Sequence, residues 1–276
     1  MNRTNPAVKT LNYLILMGYA FLALYPVYLM IVSSLKENAE IYTKPLTLPE
    51  KFSLESYKAI LNDTPFMEYL FNSVYISLVS VFFVLVFSSL AAYYIARTRF
   101  KWNPFLYFFF LSGLMIPLKL GILPMFLIYK QLGVLDHHMS LILTYVSSGM
   151  PFSVFVLVGF FKTLPTELEE AARIDGCSDL QVLYRILVPL MRPALATVAI
   201  MNFISIWNDF FYPLIFIKTE ELKTLPLAMM SLFGQYETDW SVLFSGLTLS
   251  TLPMLLLFLI ASKQFLEGMT AGAVKG

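Results

Sequence analysis

Leu70 to Ala96 reads LFNSVYISLVSVFFVLVFSSLAAYYIA, 27 residues without a formal charge. A helix needs about 20 mostly apolar residues to cross the hydrocarbon of a bilayer, so this stretch is long enough to span. It ends on Arg97-Thr98-Arg99-Phe100-Lys101, a tight basic loop before the next apolar run. Comparable windows lie at 11–35, 104–129, 139–162, 193–217 and 240–262. Runs of this length exceed the roughly 10 alternating residues of a barrel strand, and the α-helix is then the structure that satisfies its own backbone in lipid. The expected fold class is an all-α polytopic membrane protein with six transmembrane helices.

Composition points the same way. The chain is 58% hydrophobic and 13% charged, where a soluble domain has roughly 45–50% and about 25%, and its mean hydropathy is +0.71. The connections carry most of the charge. Those on the side of Arg97 to Lys101, with both termini, hold eleven cations against six acids, and those on the other side hold seven lysines against eleven acids. Basic loops stay in the cytoplasm, so both termini are expected inside. The apolar run after Lys9 is roughly 25 residues, against about 7–15 for the core of a secretion signal, which predicts an uncleaved first span.

Residues 1–69 comprise a cytoplasmic tail, the first span and the longest external connection, 36–69, where Leu54, Tyr57, Ile60 and Leu61 predict an amphipathic turn or two. Residues 70–262 form the transmembrane core, with a cytoplasmic loop at 163–192 and an external one at 218–239, and residues 263–276 form a cytoplasmic tail. No internal repeat is found.

The 163–192 loop has helical punctuation of its own. Thr166 to Glu169 and Ser178 to Gln181 each fit a capping box, in which a hydroxyl receives the third backbone N–H and the Glu or Gln reaches back. Gly176 falls where a helix end takes a left-handed residue, and Pro189 ends the pattern. Two short helices joined at Gly176 are expected, with Leu168, Ala171, Ala172, Ile174 and Asp175 on one side of the first and Leu183, Ile186 and Leu187 offering apolar surface on the second. By spacing alone the same pattern fits an amphipathic helix lying on lipid headgroups.

Glu170-Ala171-Ala172, three residues, Gly176, nine residues, Ile186, one residue, then Val188-Pro189 resembles the "EAA" loop of permease subunits of binding-protein-dependent ABC importers; Val188 stands where that pattern usually has Leu. Trp207-Asn208-Asp209-Phe210-Phe211-Tyr212-Pro213-Leu214 and the tail Thr270 to Gly276 resemble carbohydrate-uptake permeases of the maltose type, most of all the smaller of the two subunits. The resemblance implies the type I ABC importer permease fold in a bacterial-type inner membrane. It also implies three protein partners: a second homologous permease, a cytoplasmic ABC ATPase dimer that carries ATP and Mg, and an extracytoplasmic solute-binding protein. Membrane lipid surrounds them, and no nucleic acid is implied. It assigns ATPase docking to Glu170, Ala171, Ala172, Asp175, Gly176, Ile186 and Pro189, and a second ATPase contact to Gly272, Ala273, Val274, Lys275 and Gly276, where a frayed terminus is the plainer reading.

Lys119 and Asp209 are the charges placed deep in the windows, and intramembrane charges are costly enough to mark function. Counted from Pro104 and Pro193 at about 1.5 Å per residue, both reach the outer third. An ion pair or a shared water-filled cavity is one expectation, independent snorkelling the other. Trp207 and Asn208 join them as candidates for lining or gating the path, since amides and rings suit a sugar, while Asn72 and Asn202 are expected to pack helices. Pro117, Pro124, Pro151 and Pro253 are expected to interrupt spans.

Other functions find little support. None of the glycines forms GxxxxGK[ST], so ATP hydrolysis by a P-loop belongs to another chain. His137 and His138 lie in an external loop and supply too few ligands for a metal site, and Cys177 is alone, which leaves no disulfide within the chain. An ion-coupled secondary transporter is the alternative, but neither repeated halves nor a proton relay is present.

Overall fold

The computed structural model describes residues 6–232 and 238–273, which among themselves form helices and connections and no strand. Helix α1 runs Pro6–Ser33, α2 Asn38–Thr43, α3 Glu55–Asp63, α4 Phe66–Arg97, α5 Asn103–Gly113, α6 Ile122–Gln131 and α7 His138–Phe161. Then follow α8 Glu167–Ile174, α9 Asp179–Val182, a π-helical turn Leu183–Leu187, α10 Val188–Leu190, α11 Arg192–Trp207, α12 Phe211–Phe216, α13 Leu225–Ser231 and α14 Trp240–Ala273.

Four stretches are unbroken and apolar enough to cross a bilayer: Val8–Ser33, Phe66–Arg97, His138–Phe161 and Trp240–Ile260. The other two windows are bent. Asn103–Gly113 meets Leu118–Gln131 at 87°, and Asp179–Leu190 meets Arg192–Trp207 at 81°, which gives six spans when each bent pair counts as one. Of the prolines expected to interrupt spans, Pro117 stands in the first break and Pro124 in the first turn of α6, while Pro151 and Pro253 lie inside continuous helices. A proline within the first turn removes an N–H that has no helical partner in any case. Half of the apolar window of α7 is buried, and α5, α11 and α12 pack against it; only 6% of that of α1 is buried, and α1 turns apolar side chains outward, as a membrane helix does.

The chain divides into two compact units, residues 1–67 with 228–252 and residues 68–227 with 253–276. In the first, the connection after α1 is ordered by Lys36, which reads as a surface charge in sequence yet is fully buried, its Nζ donating to the carbonyl of Lys44 at 2.7 Å. The expected amphipathic turn is α3, whose Ile60 is buried and whose Tyr57 hydroxyl shares a 2.6 Å hydrogen bond with Ser34. Leu54 and Leu61 face outward.

In the second unit one apolar core joins Ala92 and Tyr93 of α4, Val154, Leu157 and Phe161 of α7, Leu183 and Leu187 of the π turn, and Ala194 and Val198 of α11. Close approach depends on small residues: a Cβ on Gly113 of α5 would lie 2.8 Å from Pro151 Cγ of α7. Asn202 of α11 donates its amide to Ser153 Oγ of α7 at 3.0 Å and to the carbonyl of Val198, the interhelical packing expected of it, while Asn72 of α4 donates instead to the carbonyls of Glu221 and Lys223 in a connection.

Candidate functional site

The 163–192 loop folds as two short helices joined at Gly176. Gly176 has φ +84°, and its N–H bonds the carbonyl of Arg173 while that of Cys177 bonds Ala172, the paired bonds of a Schellman motif. The Ser178 capping box is present in both directions. The one expected at Thr166 is not: Thr166 is already helical and makes no side-chain cap. Glu169, which would have reached back to it, points the other way.

Glu169 Oε1 lies 2.7 Å from Nε of Arg97, at the end of α4, with side chains 3% and 7% exposed. Those two atoms are not aligned as a hydrogen bond; the contact is one of charge. Arg97 Nη2 also donates to the Leu164 carbonyl at 2.8 Å. Arg173 completes the cluster, 3.9 Å from Glu169 Oε2 and 3.1 Å from Asp179 Oδ1. The inner face of α8 is therefore fastened to a membrane span.

The outer face is open. Glu170, Ala171, Asp175 and Gly176 are exposed, and Ile174 is 86% exposed, a large apolar side chain at the tip of the helix. Ala172, grouped above with that face, turns inward and is 5% exposed within the core, because a helix puts residues 169, 172 and 173 on one side. Leu183 and Leu187 are likewise buried, and Ile186 packs against the same core, so the apolar side of the second helix serves the bundle rather than a partner. Pro189 is exposed and does not end the helix, which runs to Leu190. The π turn before it, closed by the Val188 N–H on the Leu183 carbonyl, relieves the clash a proline makes with the preceding turn. Of the tail, Gly272 and Ala273 continue the backbone of α14, and Val274, Lys275 and Gly276 lie outside the described residues.

Lys119 and Asp209 form no ion pair among the described residues. Lys119 Nζ sits over the Phe211 ring, 4.9 Å from its centre. Asp209 Oδ2 accepts from the Tyr145 hydroxyl at 2.9 Å and from the Tyr212 N–H at 3.2 Å, and Oδ1 accepts from the Phe211 N–H at 3.4 Å. Its carboxylate caps α12 at the break after Trp207. Trp207 is buried, stacks on Phe203 and is not among the residues walling the cleft described next. Asn208 is exposed, its amide donating to the Ile204 carbonyl. Beside Asp209 a cleft of about 430 Å³ opens between α7 and α11, walled by Tyr145, Ser148, Phe152, Asn202, Ser205 and Asp209 among others. The two histidines are engaged elsewhere: His137 caps α7, and His138 Nε2 meets the Leu222 carbonyl.

Residues 84–271 match the family described as "Binding-protein-dependent transport system inner membrane component". The chain belongs to this family. The permease is 32% identical to the arabinooligosaccharides transport system permease protein AraQ of Bacillus subtilis (strain 168), over 95% of this chain and 94% of that one. It is also 32% identical to the probable starch degradation products transport system permease protein AmyC of Thermoanaerobacterium thermosulfurigenes, over 91% of each. Its fold matches a crystal structure of a bacterial ABC transporter involved in the import of the acidic polysaccharide alginate, with TM-score 0.84 and 23% identity, over 96% of this chain and 99% of that one. The permease has the type I ABC importer permease fold and is a multi-pass component of the inner membrane.

Sequence reasoning passed over three residues of the permease that the geometry brings forward. Arg97 was read as loop charge and Glu169 as a cap, and their pairing joins positions far apart in the chain. Tyr145 gave no signal among so many aromatics. Ile174 is visible in the sequence as a large apolar residue directly before Asp175 and Gly176.

Proposed function

We propose that the permease forms one half of a heterodimeric pathway for an ATP-driven importer of a sugar, oligosaccharide or related polyol derivative, with a second homologous permease as the other half. A solute-binding protein delivers substrate from outside, and both termini of this chain lie in the cytoplasm. ATP with Mg is hydrolysed on a separate ABC ATPase dimer, this chain being non-catalytic. The names of the relatives AraQ and AmyC support carbohydrate as the substrate.

The observation that carries the coupling role is the two-sidedness of α8. Glu170, Ala171, Ile174, Asp175 and Gly176 are free to enter a cleft on the ATPase, with Ile174 as the apolar knob, while Glu169 and Ala172 hold the helix to the spans. A push on the outer face then reaches α4 through Arg97 and the core through Ala172, which is what alternating access requires of a rigid connection. Ala172 and Ile186 act in this reading by holding the docking surface, Pro189 borders it, and the tail from Gly272 to Gly276 is a second ATPase contact.

Ile174→Arg tests the reading. The side chain is exposed, so the fold tolerates the change, and the expected outcome is loss of ATPase co-purification and of uptake. Unchanged association and uptake contradict the docking role, whereas uptake that persists with no ATPase bound to the wild-type chain favours the ion-coupled secondary transporter.

A further inference from the structure

The donors and acceptors of the cleft between α7 and α11 are unequally available. The Tyr145 hydroxyl donates to Asp209. The Ser148 hydroxyl donates to the Tyr145 carbonyl and the Ser205 hydroxyl to the Met201 carbonyl. Both amide protons of Asn202 are engaged, on Ser153 and on the Val198 carbonyl, and because that carbonyl only accepts, the orientation of the amide is fixed. What remains toward the cleft is the Ser148 and Ser205 lone pairs, Asn202 Oδ1 and the Asp209 carboxylate. Among the described lining residues, the Tyr212 hydroxyl is the donor left without a protein partner.

The charge is equally one-sided. Asp209 is met by neutral donors, so its negative charge is stabilised but not cancelled, and Lys119 sits over Phe211 without lining the cleft. Inside a membrane span such a wall is poorly matched to lipid, since Ser205 is exposed and Asp209 partly so. It suits a ligand that brings its own donors and an apolar C–H face for Phe152 and Tyr212. A sugar hydroxyl or ammonium does so, whereas a carboxylate, phosphate or sulfonate finds the Tyr212 hydroxyl as its one free donor on the described wall and is repelled by Asp209, strongly so at low dielectric.

We infer that this cleft is a sugar subsite supplied by this chain and that it admits neutral or amino-bearing sugars and rejects anionic ones. The inference rests on the carbohydrate importer proposed above. Its test uses the assembled importer, with partner permease, ATPase and binding protein, in proteoliposomes. Uptake is measured for maltotriose, arabinotriose and chitosan trisaccharide on one side and trigalacturonate and glucose 6-phosphate on the other. Transport confined to one or more of the first group is expected, and transport confined to the anionic group overturns the inference. Ser205→Lys, which puts a flexible cation on the wall, is expected to lower uptake of the transported sugar about tenfold, and Ser205→Ala, which removes one acceptor, about threefold. Co-purification of the ATPase reports assembly of each variant, and should the lysine variant fail to assemble, the alanine variant decides. Uptake unchanged in an assembled variant removes the subsite from the path. If none of the sugars is carried while a solute of another class is, the carbohydrate reading itself has failed.

Discussion

Glu169 and Asp209 are both carboxylates held at the end of a span, and the permease treats them in opposite ways. Glu169 is met by cations, Arg97 at 2.7 Å and Arg173 at 3.9 Å, and is shut away from solvent. Asp209 is met by a phenol and two backbone N–H groups and borders a cleft. Cancelling the charge on both sides gives a closed, load-transmitting joint. Stabilising it with neutral donors holds the carboxylate in place and leaves its field acting on whatever enters. The end at α8 is thus built as a clamp and the end at Asp209 as a wall.

The largest effect is expected at the clamp. Glu169→Ala leaves Arg97 buried without a counter-charge, a loss of about 3–5 kcal/mol, read as proteolytic cleavage of the 163–192 loop in membranes and a fall in ATPase association. Retained protection would show that apolar packing around Ala172 holds α8 alone. Tyr145→Phe removes the one side-chain donor to Asp209 among the described residues and should cost about 1.5–3 kcal/mol, seen as a lower melting temperature of the purified complex with α8 still protected. Were that loop cleaved too, the two ends would not be separable as the comparison holds.

Asp136 offers the mildest case, a carboxylate of the Asp209 kind in the connection between α6 and α7. It accepts from the Thr219 hydroxyl and from the Lys218 and Thr219 N–H groups, and the Thr219 hydroxyl first, then these N–H groups, hold its carboxyl below the usual range. A depressed carboxyl contributes its stability above the unfolded value, about 3.9, and loses it as pH falls through the lower folded value. Hydrogen exchange at Lys218 and Thr219, corrected for its intrinsic pH dependence, should keep its protection at pH 5 and lose it only below about 3.9. Protection lost well above that pH would mean the carboxylate is not what orders the turn.

Much of this could be read from the sequence because membrane helices announce themselves by length and apolarity. The six windows, the Gly176 turn and the Ser178 cap each depend on residues close together in the chain. The bends were not legible, since Pro117 and Pro151 look alike in sequence, and it is the loss of helix on the N-terminal side of Pro117 that separates them. Nor was the face of α8, because Ala171 and Ala172 differ only in which one meets the core. The expected Lys119–Asp209 pair failed for a related reason: nearby N–H groups at a helix break satisfy a carboxylate before a distant cation does. Candidate residues whose partners lie far off in sequence, Arg97 with Glu169 and Tyr145 with Asp209, need the fold before their roles can be stated.

The central claim is that α8 has one face for the ATPase and one for the spans, and cysteine cross-linking tests it most directly. With Cys177 replaced by serine, single cysteines at Ala171, Ala172 and Ile174 would be probed against the ATPase in native membranes. The account predicts cross-links from positions 171 and 174 and none from 172. A cross-link at 172 as strong as that at 174 would contradict it, for the inward face would then be the docking face.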